Sequence, residues 1–326
     1  MKILLIPQCS VSGLLIITSC KTAVGLVLQE VDYKSTCITM PKTARRLPDK
    51  KIFLMLLVSS LTSTLLAKES SAIKVLFQHL DFSNSTQKEQ GKRHGLEVKH
   101  HIDRHHLFFV YEKTDTQTFQ PPLPKNLNVN KLSFKYGYQL SPSFRLNTSY
   151  ITIDDNLVAT DGGKIYGVGL DYKNIKFAHY FSDYTPLDVH QSDVSVTFKS
   201  CLGEVAAKTT LMAKYLTLKD FKTHPLSKNA QSSYFTPAIK VHLTYDDYIA
   251  GLGAFFGKRV FAVMDSGVRV QHHGMEFDRS YALGFGKKVS DYTLMLKYNY
   301  ARATELPKET ENVQVRGIIF SLSRRF

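Results

Sequence analysis

Tryptophan is absent from the 326 residues, and cysteine is nearly absent from most of them. Cys9, Cys20 and Cys37 crowd near the N-terminus, which leaves Cys201 alone in the remainder and excludes a disulfide framework there. Long apolar runs are missing beyond residue 67. None there reaches the ~20 residues that a spanning helix needs, so a helical membrane protein is excluded. Acidic residues are also scarce: Asp and Glu total 28 against 42 Lys and Arg, a formal charge of +14. A basic chain raises the question of nucleic acid. Here the basic residues alternate along the chain instead of clustering on a helix or an aromatic platform, so no nucleic-acid partner is expected.

What is present divides near residue 67. Lys50 and Lys51 precede the apolar stretch from Ile52 to Ala67, followed by Lys68-Glu69-Ser70. A basic start, an apolar middle and a small residue at the cut are the parts of a secretory leader, so 50–67 is read as a signal peptide. Residues 1–49 hold a second uncharged stretch and a lipoprotein-like Cys20. The expectation is a start at Met40 or later, with 1–49 absent from the mature protein and 68–326 forming its body.

Beyond the leader, period two dominates. Leu132, Phe134, Tyr136, Tyr138 and Leu140 alternate with Lys131, Ser133, Lys135, Gly137 and Gln139. The same holds around Tyr166–Tyr172, Val194–Phe198, Ile239–Tyr245, Tyr281–Phe285 and Tyr292–Tyr300. Such alternation predicts strands with one apolar and one polar face. Fourteen are expected, near 72–82, 94–103, 106–115, 130–140, 143–153, 164–173, 175–183, 191–200, 204–218, 234–245, 248–257, 279–289, 292–303 and 313–326. Twelve or sixteen also fit the length, because 260–264 and 268–271 read either as further strand or as a hairpin folded within a loop.

The connections separate this pattern from a soluble sandwich. Short ones at 103–105, 141–142, 174, 201–203, 246–247 and 290–291 take turns with long ones at 83–93, 116–129, 154–163, 219–233, 258–278 and 304–312. Short periplasmic turns alternating with longer outer loops mark a transmembrane barrel. The final strand places Ile318, Phe320, Leu322 and Phe326 on one face, with Arg324 departing from an otherwise apolar set. This alternating strand with a terminal Phe resembles the insertion signal of bacterial outer-membrane proteins, and the chain resembles the small bacterial porins. That resemblance implies an all-β, closed antiparallel barrel in the outer membrane. It also implies the barrel insertion machinery, membrane lipid and lipopolysaccharide as partners, with homo-oligomers allowed.

If the apolar face meets lipid, the opposite face lines the lumen. It carries Lys74, Lys99, Lys131, Lys135, Arg145, Lys176, Lys199, Lys208, Lys214, Lys240, Lys288 and Lys297, against Glu97, Asp171 and Asp246. A cationic aqueous passage favours anions, so the expected function is passive diffusion of small hydrophilic solutes with anions preferred. Lys258, Arg259, Arg269 and Arg279 are candidates for an external basic patch against lipopolysaccharide phosphates.

Histidines suggest two further chemistries. His94, His100, His101, His105 and His106 crowd together, but strand geometry sends them to different faces and no metal site or cofactor is expected. His190 and Ser192 lie two apart on one strand face, as in barrel lipid hydrolases. Asp193-Val194 replaces the Asn-Gly that usually follows, so hydrolysis stands as an alternative, beside transport of hydrophobic compounds.

Overall fold

Residues that alternate in the sequence become partners across strands. In a computed structural model the described residues are 70–326, apart from 121–122, 157–159, 186, 224–226, 273 and 307. The 1–49 segment with Cys20 and the signal peptide at 50–67 lie outside the described residues. The strands are β1 (Ser70–Ser83), β2 (Lys88–Ile102), β3 (His105–Thr118), β4 (Leu127–Ser141), β5 (Phe144–Asp155), β6 (Lys164–Tyr172), β7 (Ile175–Tyr184) and β8 (Leu187–Leu202). They continue with β9 (Val205–Lys219), β10 (Ser233–Tyr245), β11 (Tyr248–Arg259), β12 (Val263–Met264), β13 (Arg269–Val270), β14 (Met275–Val289), β15 (Tyr292–Glu305) and β16 (Thr310–Arg325).

Fourteen of these close into one antiparallel barrel, and β12 and β13 form a separate two-residue hairpin between β11 and β14. Closure runs through β1 and β16, in register from Ala72 opposite Arg325 to Ser83 opposite Gln314. The seam ends where the Phe326 amide donates to the Ser71 carbonyl at 2.9 Å. A closed ladder leaves no strand edge, which hydrocarbon would make prohibitive.

Two-residue turns at 103–104, 142–143, 173–174, 203–204, 246–247 and 290–291 share one end of the barrel with the seam terminus. Asp103, Lys173, Gly203, Asp246 and Ser290 take positive φ there, the backbone a tight hairpin demands. The opposite end carries 84–87, 119–126, 156–163, 185–186, 220–232, 260–274 and 306–309. Several of these are shorter than the alternation predicts: 83–93 shrinks to 84–87, and 304–312 to 306–309. The cause is physical. Strands that protrude beyond hydrocarbon keep their ladder but lose the need for an apolar face, so Lys88–Arg93 extends β2 with no period-two signal.

The register also fixes the faces. Phe77, Phe134, Val168, Phe177, Leu211, Leu252, Leu283, Phe285, Leu296, Ile318 and Phe320 point outward, each 45–61% exposed. Arg324, the exception in the final strand, lies on this face with its guanidinium 5.3 Å from the Tyr292 ring and 4.7 Å from the Phe326 ring. Stacked in this way, a charge at the short-turn rim keeps its head in water while its stem covers aromatic surface.

The seam yields a first prediction. Deleting Phe326 removes its seam hydrogen bonds, at about 1 kcal/mol each. Barrel refolded in detergent should therefore still form, with its urea midpoint lowered, as read by the mobility shift of unheated protein on gels. An unchanged midpoint would contradict the seam.

Candidate functional site

With the outer face given to apolar residues, every charged side chain at membrane depth must turn inward or sit at a rim. Cross-strand pairing shows which do. Lys131 lies opposite Glu112, Lys135 opposite Ser149, Arg145 and Lys176 opposite Asp171, and Lys214 opposite Asp193. Lys199 faces Lys208, Lys240 faces Thr210 and Gly253, Lys288 faces Thr293, and Lys297 faces Gly284. By strand parity all ten fall on the face opposite the apolar one, although some, Lys208 and Lys288 among them, have one polar outward neighbour, here Thr209 and Lys287.

They divide into two groups. Lys131 pairs with Glu112 at 3.1 Å, Arg145 and Lys176 with Asp171 at 2.5 and 3.1 Å, Lys214 with Asp193 at 2.5 Å, and Lys240 with Asp265 at 3.5 Å. Lys135 donates instead to the Ser266 carbonyl at 2.9 Å. Lys199, Lys208, Lys288 and Lys297 have no carboxylate within ion-pair distance among the described residues. Lys199, Lys208 and Lys288 stand near the short turns. The inward acids Glu112, Asp193 and Asp265 escaped the sequence reading, although strand parity alone marks Glu112 as a partner for Lys131.

Apart from Arg145 and Lys176, which share Asp171 beside the short turns, the paired group is organised by the segment 260–274, which folds into the lumen. β12 and β13 pair through Val263 with Val270 and Met264 with Arg269. Asp265, Ser266 and Gly267 turn the chain with φ of 48°, 58° and 92°. Gly267 is required twice over: its φ suits glycine, and a Cβ there would sit 2.7 Å from Ser149 Oγ and 2.8 Å from Tyr180 Cε1. The base of the segment is apolar. Val260, Phe261, Ala262 and Val263 are buried against Val129, Ile151, Ile153, Ile165, Val189 and Leu216, inward residues of the surrounding strands. The external half of the lumen is thus narrowed by a packed core, where alternation alone predicts a polar lining.

Polar anchors then hold the hairpin from two walls. On β8, Gln191 reads the Val263 backbone as a strand would, donating to its carbonyl and accepting from its amide, each at 2.8 Å. Lys214 adds a bond to the same carbonyl at 2.9 Å. On the opposite wall Arg269 donates Nε to Glu112 at 2.7 Å, Nη1 to Asp265 at 2.9 Å, and Nη2 to Glu97. Lys74 also reaches Glu97, at 2.7 Å, and Arg93 approaches Glu112 at 3.6 Å. One planar fork therefore joins loop to barrel through Glu97 and Glu112 while bracing the loop's own turn through Asp265, geometry that a lysine cannot copy. Desolvation would raise the Asp265 carboxyl, but Arg269 and then Lys240 outweigh it and hold it well below the usual carboxylate range.

The external basic patch is rearranged accordingly. Arg269 belongs to the lumen. Arg259 is 1% exposed, between the Phe255 and Phe277 rings at 5.0 and 5.5 Å, with a hydrogen bond to Ser280. Both were expected outside, because the inward fold of their segment leaves no trace in residue spacing. Lys258 and Arg279 do stay exposed.

The histidines scatter. His101 and His106 stack across strands on the lumen side, ring centroids 4.2 Å apart. His94 meets Phe77 and His100 meets Ser71 on the outer face. His190 and Ser192 also point outward, but the Ser192 hydroxyl shares a 2.9 Å hydrogen bond with Nδ1 of His179, and His190 packs on the Phe181 ring.

Soluble proteins do not carry a continuous outward belt of Phe, Leu, Tyr and Val around a closed sheet. The chain is a closed 14-stranded β-barrel with a lipid-facing exterior. No protein-family model and no curated protein sequence matches it. Among solved structures it is similar to the outer membrane protein Omp33 of Acinetobacter baumannii, at 8% identity and a TM-score of 0.45, over 79% of this chain and 99% of that one. A bacterial polysaccharide outer membrane secretin is similar at 10% identity and 0.47, over 78% and 98%. OccAB3 of Acinetobacter baumannii is similar at 10% and 0.41, over 80% and 100%.

The hairpin anchor can be tested directly. Arg269→Gln should release the loop, since removing one partner from a desolvated charge cluster costs about 3–5 kcal/mol. Reconstituted in bilayers, the variant should conduct more and flicker more than the parent, while Arg269→Lys should fall between. The depressed Asp265 carboxyl sets the pH sign. Its contribution is present above the unfolded value and is lost only as pH falls through the lowered one, so acidification to about pH 4 should leave the loop in place. Identical currents in the parent and the Gln variant would refute the anchor.

Proposed function

We propose that the chain is a porin-like channel for passive diffusion of small hydrophilic solutes, with anions preferred over cations. The observation that carries this reading is the axial separation of charge inside the barrel. At the hairpin the basic groups are matched by Glu97, Glu112, Asp193 and Asp265, whereas beside the short turns the single carboxylate of Asp171 is shared by Arg145 and Lys176 and leaves an excess of positive charge. Nearer the short turns, Lys199 and Lys208 face each other directly, with Lys288 on a further strand. Among the described residues none of these three has a carboxylate at ion-pair distance. A solute entering from that end meets fixed positive charge before it meets the constriction. Fixed charge in a low-dielectric wall concentrates counter-ions, which is the physical basis of selectivity in wide channels.

The outward residues Ile318, Phe320, Leu322 and Phe326 form the proposed insertion signal. A chain lacking Phe326 that refolds in detergent but is degraded in the periplasm of growing cells would support that role, because refolding bypasses the insertion machinery. Normal membrane yield in cells would remove it.

Reversal potentials in a salt gradient test the selectivity. Near 0.1 M salt, where the screening length is about 10 Å, the channel should prefer anions, and the preference should fade near 1 M, where that length is about 3 Å. Replacing Lys199, Lys208, Lys288 and Lys297 together by Glu should reverse the sign. A cation-selective parent, or one with no conductance at any salt, would overturn this function.

A further inference from the structure

The outer face of β11, β14, β15 and β16 holds a feature that the lumen does not explain. At the end opposite the short turns, Arg279 lies directly across from Arg302, and Arg316 lies across from Tyr300. All three sit on the lipid-facing side of their strands, beyond the stacked rings of Tyr281 and Tyr300. Asp278 alone joins two of them, accepting from Arg279 at 3.3 Å and from Arg302 at 3.1 and 2.5 Å through a single oxygen. Arg316 bonds to Gln314 at 2.6 Å and has no carboxylate at ion-pair distance among the described residues. Asp81 is its register partner on β1 and accepts from Ser83. Exposed Lys258 stands on β11, engaged with Glu276 at 2.6 Å. A guanidinium carries five donors, and the bonds to Asp278 and Gln314 engage only four nitrogen atoms of the three arginines.

Two residues deeper along the same face, an apolar groove opens between Val241, Leu252, Ala254, Leu283 and the two tyrosines. Ala254 makes the depression, being small among large neighbours. Cations at the rim with an apolar furrow just below them, at hydrocarbon depth, match one chemistry: a phosphorylated head above an acyl chain. The end bearing the longer loops is the external one, and the phosphorylated lipid of the external leaflet is lipopolysaccharide.

We propose that this face binds one molecule of lipopolysaccharide, its phosphates on Arg279, Arg302 and Arg316 and one acyl chain in the groove. Guanidinium forks suit phosphate oxygens in a way that scattered lysines do not. A second copy of the barrel is the poorer occupant, because a two-fold contact would bring the three arginines against their own counterparts. The site does not depend on whether the lumen conducts.

Native mass spectrometry of the full chain purified from membranes tests it. The probes are bisphosphorylated lipopolysaccharide, the same glycolipid with both phosphates removed, and phosphatidylglycerol. The parent should retain one phosphorylated glycolipid and bind either other probe at least about tenfold less well, the loss expected when one or more charge-assisted bonds disappear. The R279Q/R302Q/R316Q variant should lose about tenfold or more in retention while keeping the gel mobility of a folded barrel. Ala254→Phe fills the groove, leaves every charge in place, and should also weaken binding. Equal retention by the triple variant, equal binding of phosphatidylglycerol, or a protein dimer in place of the lipid adduct would each overturn the proposal.

Discussion

Everything in this molecule depends on one constraint: a backbone amide or carbonyl in hydrocarbon has no water to bond. A sheet can satisfy it only by closing, and the β1–β16 seam does so over a register of twelve residue pairs. Closure then dictates chemistry. Once the ladder has no edge, each residue faces either lipid or lumen, and a shift of one position would exchange the two faces entirely. Phe77 opposite Phe320 outside, with Lys74 opposite Glu97 inside, are the same constraint seen from two sides.

The lumen inherits the difficulty that the lipid face avoids. Charges collected inside a barrel of this size would repel one another if left as a lysine array. The inward hairpin resolves this at its own level by bringing Asp265 to Lys240 and by spreading Arg269 across Glu97, Glu112 and Asp265. Nearer the short turns no loop arrives, and Lys199 remains opposite Lys208. The asymmetry between a balanced constriction and a positive entrance comes from where one loop reaches, not from the strands. The apolar base of that loop, packed on Ile151, Ile165 and Leu216, keeps the polar anchors in place.

Much of this was legible before any coordinates. The alternation from Lys131 to Leu140 is a strand with the faces it has in the barrel, and the parity that sends Phe134 to lipid sends Lys135 to the lumen. Strand ends were less legible, because Lys88–Arg93 leaves hydrocarbon and keeps its pairing with no apolar face to reveal it. The inward course of 260–274 carried no periodic signal at all. Its residues read equally as strand or loop, and the contacts that decide between them, Gln191 to Val263 and Arg269 to Glu112, span 72 and 157 positions of sequence. Arg259 was misread for the same reason: burial between two rings is a property of a fold, not of a segment.

The central claim is that the tip of this hairpin rests on the inner wall, with the Gly267 backbone against Ser149 and Tyr180. A disulfide measures that most directly. In a Cys201→Ser background, cysteines at Ser149 and Gly267 would place their Cβ atoms within about the 3.5–4.5 Å that a disulfide spans. The left-handed backbone at Gly267 costs the cysteine roughly 1–2 kcal/mol, and its Cβ would meet Tyr180 Cε1 at 2.8 Å, so the pair is introduced together with Tyr180→Ala, which clears that contact. Mild oxidation of the folded barrel should therefore join them in high yield, read as a loss of free thiol and a reducible change in gel mobility. Two thiols that stay free and reactive in a folded barrel would contradict the account.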